Sequence, residues 1–139
     1  MYLLDTNVIS EIRKMKSGKA DANVTAWIRS VNAATLYISV ITVLELEQGI
    51  LGKEREDAAQ GAILRNWFEN QVLPTFSDFT LNIDAAVAQR CAQLHVPNKK
   101  GERDALIAAT ALVHDMTVVT RNAKDFKDTP VALLNPWER

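Results

Sequence analysis

Two hydrophobic rhythms alternate along this chain. Tyr2–Leu4 is a short apolar run that stops on Asp5-Thr6-Asn7, after which Val8, Ile9 and Ile12 recur at helical spacing. This predicts a strand followed by a helix. Beyond a polar turn around Lys16–Lys19, Val24, Trp27, Ile28 and Val31 predict a second helix, and Leu36–Ser39 a second strand. Thr42 opens a helical pattern through Leu44, Leu46 and Ile50, weakened near its end by Gly49 and Gly52. From Lys53 to Gln71 the pattern resumes with Ile63, Leu64, Trp67 and Phe68, which predicts a long helical arm. Pro74, Ser77 and Asp78 mark a loop, Thr80–Ile83 a short strand, and Asp84 the N-cap of a helix through Val87, Cys91 and Leu94. After a break at Pro97–Gly101, Glu102–His114 is apolar on nearly every side, and Thr117–Thr120 and Val131–Leu134 read as strands.

Strands that alternate with helices predict a parallel sheet covered on both faces through right-handed crossovers. The expected fold is therefore α/β, a three-layer α/β/α sandwich around a sheet of about five strands. No repeat, low-complexity tract or linker divides residues 1–139, so one domain is expected.

Composition narrows the function classes. Hydrophobic residues make up 47% of the chain and charged residues 24%, as in ordinary globular proteins. Sixteen basic against seventeen acidic residues give a net charge of −1, which excludes a protein that coats nucleic acid through its overall field. One cysteine, Cys91, and two histidines supply neither an internal disulfide nor a tetrahedral zinc site. The opening residues carry no basic leader before a long apolar run, and Ala105–Val113 is about half the length of a bilayer span, so the expected setting is the cytoplasm, without a membrane.

Open parallel sheets bind ligands beyond the carboxyl ends of their strands. Asp5, Thr6 and Asn7 follow the first strand; Ser39 and Thr42 follow the second, with Glu45 one turn on; Asp104 opens the apolar helix; Thr120, Arg121 and Asn122 follow a later strand. If these ends converge, three carboxylates and an amide meet. Carboxylates gathered without matching cations repel one another and raise each other's pKa unless a divalent cation lies between them. Oxygen donors without Cys or His favour Mg²⁺, with Mn²⁺ as a substitute, and such an ion suits phosphodiester hydrolysis.

Each acid also has a local explanation. Asp5 suits a helix N-cap, Thr42 and Glu45 have the spacing of a capping box, and Asp104 suits the positive end of a helix. Asn122 and Thr120 suit a turn and a strand end, Cys91 a core position, and Trp137 an anchor for the chain's end. Glu47 points away from Glu45. Basic clusters at Arg13–Lys19, Lys99–Arg103 and Arg121–Lys127 are a modest signal for nucleic acid, since two of them flank Asp104 and Asn122.

Taken together, these segments resemble the PIN-domain ribonucleases, and among them the VapC and FitB-like toxins of bacterial toxin–antitoxin pairs. Leu3-Leu4-Asp5-Thr6-Asn7-Val8-Ile9-Ser10-Glu11 is similar to the family's opening motif, and Ser39-Val40-Ile41-Thr42-Val43-Leu44-Glu45-Leu46 to its second. Asp104-Ala105-Leu106-Ile107-Ala108-Ala109-Thr110-Ala111 resembles the third. Val119-Thr120-Arg121-Asn122 with Asp125-Phe126 resembles the fourth, and Asn135-Pro136-Trp137 a FitB-like ending. The resemblance implies that Asp5, Glu45 and Asp104 form an acidic metal-binding triad, with Asp5 and Asp104 the most direct ligands. It implies Mg²⁺-dependent endonucleolytic cleavage of RNA, a homodimer, and a small DNA-binding antitoxin contacting Glu45–Phe68. Where many relatives have a fourth acid this chain has Asn122, and a neutral amide brings no charge to a second cation.

The resulting expectation is cleavage by a metal-activated water, with Asp5 and Asp104 on the metal and Glu45 binding it or orienting the water. Asn122 and Thr120 would position metal waters or phosphate, supported by Thr6 and Asn7. Two alternatives are a catalytically silent RNA- or partner-binding protein and a phosphatase with Asp5 as nucleophile. The second would need an acid where Asn7 stands.

Overall fold

The computed structural model describes residues 1–138. Five short strands, β1 (Tyr2–Leu4), β2 (Leu36–Ser39), β3 (Thr80–Leu81), β4 (Thr117–Val119) and β5 (Leu133–Leu134), form a sheet of order β3-β2-β1-β4-β5. Every neighbouring pair is parallel, with Tyr2 opposite Leu36 and Leu4 opposite Val119. The chain builds outward from β1 to β2 and β3, then returns across the sheet to place β4 on the other side of β1. That reversal opens a crevice at the carboxyl ends of β1 and β4, where an open α/β sheet binds its ligands.

Successive strand residues face opposite layers. Leu3 and Val118 point into one core with Val87, Cys91, Leu94 and the small residues Ala105, Ala108, Ala109 and Ala111. These come from α6 (Ala85–Leu94) and α7 (Glu102–Val113). The alanines of α7 explain its apolar surround: short side chains let it lie close to both the sheet and α6. Leu4, Ile38 and Val119 point into the second core, with Val8 and Ile9 of α1 (Thr6–Arg13), Trp27 of α2 (Ala22–Ser30), and Leu46 and Ile50 of α3 (Val40–Glu56). The three-layer α/β/α architecture is the one expected from the sequence. Among the described residues no helix is long and apolar enough to cross a membrane.

Three local expectations change. The helical arm is a hairpin: α3 runs through both glycines to Glu56, breaks at Asp57, and reverses into α4 (Ala58–Trp67). Asp57 adopts an extended backbone and its carboxylate accepts the Gln60 N–H at 3.2 Å, so it ends one helix and caps the next. Arg65 fastens the two arms by donating to Glu47 and Glu54. A π-helical turn at Phe68–Val72 and the short α5 (Leu73–Thr75) then carry helix through Pro74, where a loop was expected. Finally, α3 begins at Val40 and is capped by Ser39, whose hydroxyl accepts the Ile41 N–H at 3.0 Å. Thr42 and Glu45 therefore form no capping box.

Candidate active site

The end of β1 supplies the first acid. Asp5 is 7% exposed and caps α1, accepting the Thr6 N–H at 2.8 Å on one carboxylate oxygen. Its other oxygen accepts the Thr120 hydroxyl at 2.8 Å and the Asn7 amide at 3.4 Å. The cap predicted for Asp5 is thus real, yet the second oxygen is directed across the crevice to the end of β4. Burial pushes the Asp5 carboxyl above its ordinary value; the Thr120 hydroxyl and Thr6 amide oppose this, and the charges of Glu45 and Asp125 add to it.

Thr120 is completely buried and does two things at once. Its hydroxyl donates to Asp5 and accepts the Asn122 backbone N–H at 3.0 Å. Asn7 spans the same gap, with its Nδ2 3.3 Å from the Thr120 hydroxyl and its Oδ1 accepting the Arg121 N–H at 3.2 Å. Asn122 itself is held by its backbone, and its side chain makes no cap to the 3₁₀ turn at Ala123–Phe126. Asp125 lies inside that turn.

Glu45 reaches the site from α3. Its Oε1 accepts the Thr6 hydroxyl at 2.7 Å, and that hydroxyl stands 3.2 Å from the Thr42 hydroxyl. Its Oε2 lies 3.6 Å from Nη1 of Arg103, whose guanidinium also donates to Gln48 at 2.9 Å. The cation expected to face solvent phosphates at Arg103 is therefore partly engaged by the acid beside it.

Asp104 enters from the first turn of α7, behind Gly101. Partial burial raises its carboxyl above the ordinary value, followed by the charges of Asp5, Asp125 and Glu45. Among the described residues it has no cationic partner and no hydrogen-bond donor. A carboxylate at a helix N-terminus is normally favoured; here burial and neighbouring acids outweigh that preference. Sequence reasoning underweighted Asp125, whose charge acts on both Asp5 and Asp104 although it is the least buried member of the group.

The donor set is made of hard oxygens, the kind that Mg²⁺ and Mn²⁺ accept. Asp5 and Asp104 both carry carboxyl pKa values raised first by burial and then by the charges of neighbouring acids, Glu45 and Asp125 on Asp5 and these two with Asp5 on Asp104, which is the electrostatic situation a divalent cation relieves. Among the described residues, however, no three Asp, Glu, His or Cys side chains are drawn together as a closed metal-holding set. Asp5 is turned toward Thr120, and Glu45 toward Thr6 and Arg103, each taking the nearest donor.

Elsewhere the predicted bland roles hold. Cys91 is buried in the core. Trp137 ties the end of the chain down, accepting the Asn23 amide on its carbonyl at 2.8 Å while Arg121 lies over its ring. Glu47 faces Arg65, away from Glu45's partners.

Comparison with known proteins identifies the family. The family model described as PIN domain matches residues 2–132. The VapC ribonuclease Y4jK of Sinorhizobium fredii is 37% identical over 99% of this chain and 99% of its own. The crystal structure of FitAcB from Neisseria gonorrhoeae covers 100% of both chains with a TM-score of 0.89 and 35% identity. A toxin-antitoxin complex from Klebsiella pneumoniae likewise covers 100% of both, with a TM-score of 0.68 and 28% identity. With nearly the whole chain matched by the family model and by relatives of more than 30% identity, this protein belongs to the PIN domain family.

Proposed function

We propose that the chain is a metal-dependent endoribonuclease and the toxin of a toxin–antitoxin pair. The observation that carries the reading is that Asp104, 99 positions from Asp5 in the sequence, lies within the field of the Asp5, Asp125 and Glu45 carboxylates with no cation paired to it among the described residues. Relatives named as a ribonuclease and as a toxin-antitoxin complex support the substrate class and the biological role. Asp5 and Asp104 would hold Mg²⁺, with Glu45 as a third ligand or as the group that orients water. Mg²⁺ bound there supplies polarisation of the phosphodiester and a lowered pKa for its water.

The protein's own part is positional. Thr120 and the Thr6 amide fix the rotamer of Asp5, and the Thr6 hydroxyl fixes Glu45. Asn7 clamps the β4 end to the β1 end, so the loop carrying Arg121 and Asn122 keeps its place beside the acids. Asn122 would contribute a neutral amide to phosphate or metal water and no charge. Nucleophilic attack by Asp5 is disfavoured because Asn7 offers no acid two residues on.

A small DNA-binding antitoxin would contact Glu45–Phe68, and a second copy of the chain would form a homodimer. Exposed Leu44, Leu51 and Ile63 on α3 and α4 supply apolar area for such partners. The deciding experiment incubates the purified chain with total RNA in Mg²⁺ or EDTA and maps the new ends. Internal cleavage only in Mg²⁺, lost in Asp104→Asn, is expected. Undiminished cleavage in EDTA or in folded Asp104→Asn would reject the assignment.

A further inference from the structure

A cleft of about 320 Å³ leads away from the acids between α1, α3 and α4. Thr6 and Glu45 form its inner end, while Arg13, Lys14, Gly49 and Trp67 line the rest. Its chemistry changes along its length, from carboxylate at one end to cations at the other. The central carbon of the Arg13 guanidinium lies over the Trp67 ring, 5.9 Å from the centroid. It has no carboxylate partner among the described residues, whereas Lys14 is paired with Glu11 at 3.2 Å. Arg13 is thus a held cation without a counter-ion, seven residues or about 10 Å along α1 from Thr6.

Gly49 shapes the wall. A glycine in a helix interior is unfavourable relative to alanine, and a Cβ at Gly49 would meet nothing within 4 Å. Close packing does not account for the residue; what its missing side chain leaves is room beside Glu45. Gly52 also stands in open space on the same helix but does not line the cleft.

We propose that this cleft is the subsite for the nucleotide adjoining the scissile phosphodiester, with Arg13 on its phosphate and the space over Gly49 receiving its sugar and base. The assignment rests on the ribonuclease reading above and extends it to substrate placement. The volume is at the small end for ligand pockets and suits one nucleotide. Arg is suited to phosphate by its planar fork of donors. The cation and the acids also lie in the order that an RNA strand needs if its reacting phosphate sits at the metal and its neighbour sits on the protein.

The test titrates protein carrying ¹⁵N-tryptophan with a single-stranded RNA tetramer in EDTA, following the Trp67 indole resonance, identified with Trp67→Phe. The native chain and Gly52→Leu should show the same saturable shift. Gly49→Leu, which fills the cleft, and Arg13→Gln should bind at least tenfold more weakly while melting as cooperatively as Gly52→Leu. In Mg²⁺ the same two variants should lose at least tenfold in kcat/KM on RNA, with Gly52→Leu within twofold of native. Native-like binding and cleavage by Gly49→Leu would overturn the proposal, as would a Trp67 shift with a glutamate-rich peptide of equal charge but none with RNA. If RNA shifts Trp67 in the native chain and not in Gly49→Leu, yet no variant cleaves in Mg²⁺, the subsite stands and the nuclease reading falls.

Discussion

Replacing Asp104 with asparagine separates the two roles of its charge. The substitution keeps the side chain's shape and removes one negative charge from the first turn of α7. A helix N-terminus alone would favour the charge by under about 1 kcal/mol, and alone it would lower the carboxyl pKa. The Asp104 pKa is raised instead, so partial burial and the carboxylates of Asp5, Asp125 and Glu45 outweigh the helix. A carboxyl whose folded pKa lies above its unfolded value favours the folded state most at low pH, and that advantage is lost as pH rises through the folded value. At pH 7 ionised Asp104 therefore destabilises the metal-free fold, and Asp104→Asn should melt higher than the native chain in EDTA. Metal reverses the order. At one hundred times its dissociation constant, Mg²⁺ adds about 2.7 kcal/mol to the native chain. The unfolding entropy of 139 residues is about 0.29 kcal/mol/K, which converts this to a rise of about 9 °C in Tm. Asp104→Asn, with one ligand lost, should show less than about 3 °C of that rise. Differential scanning calorimetry of both proteins in EDTA and in Mg²⁺ measures all four Tm values. An Asp104→Asn protein that melts below native in EDTA, or that keeps the whole Mg²⁺ shift, would refute the electrostatic account of the site.

Thr120→Val retains shape but removes the hydroxyl between Asp5 and the Asn122 amide; urea denaturation should show a loss of about 2 kcal/mol, the cost of buried partners left unpaired. A Cβ at Gly61 would come within 2.4 Å of the Glu54 Cα, so Gly61→Ala should lose about 1–3 kcal/mol by overpacking the α3–α4 hairpin. Gly52→Ala, in open space, should instead gain about 0.5–1 kcal/mol, and thermal melts of the pair compare the two signs directly. The Glu11 carboxyl is held below its ordinary value chiefly by the Asp21 backbone N–H. Its contribution is present above pH 4.5 and lost as pH falls through the lowered value. The stability gap between native and Glu11→Gln, read from urea midpoints, should accordingly be widest near neutral pH and narrow as the pH falls below 4.5.

Local pattern was enough for the elements and their order, because a strand or helix declares its buried face within a few residues. Leu3 and Leu4, or Val118 and Val119, needed only the period of two to be assigned to opposite cores. Alternation of strands and helices then sufficed for a parallel, two-sided sheet. The family motifs carried the acidic residues as candidates, each with an innocent local reading, and Asp5 satisfies both readings at once.

Tertiary structure alone decided how those candidates relate. Thr6 meets Glu45 across 39 positions and Thr120 meets Asp5 across 115, separations over which no periodicity operates. The return of the chain from β3 to β4 brings the ends of β1 and β4 side by side, and the burial this produces, with the charges of neighbouring acids added to it, raises Asp5 and Asp104. The same holds for the reversal at Asp57 and for the engagement of Arg103 by Glu45. Helical propensity runs uninterrupted through the first, and the second depends on two helices meeting in space. Hydrophobic rhythm specifies what each segment buries; electrostatic and hydrogen-bond partners are chosen only once the sheet order has set who stands opposite whom.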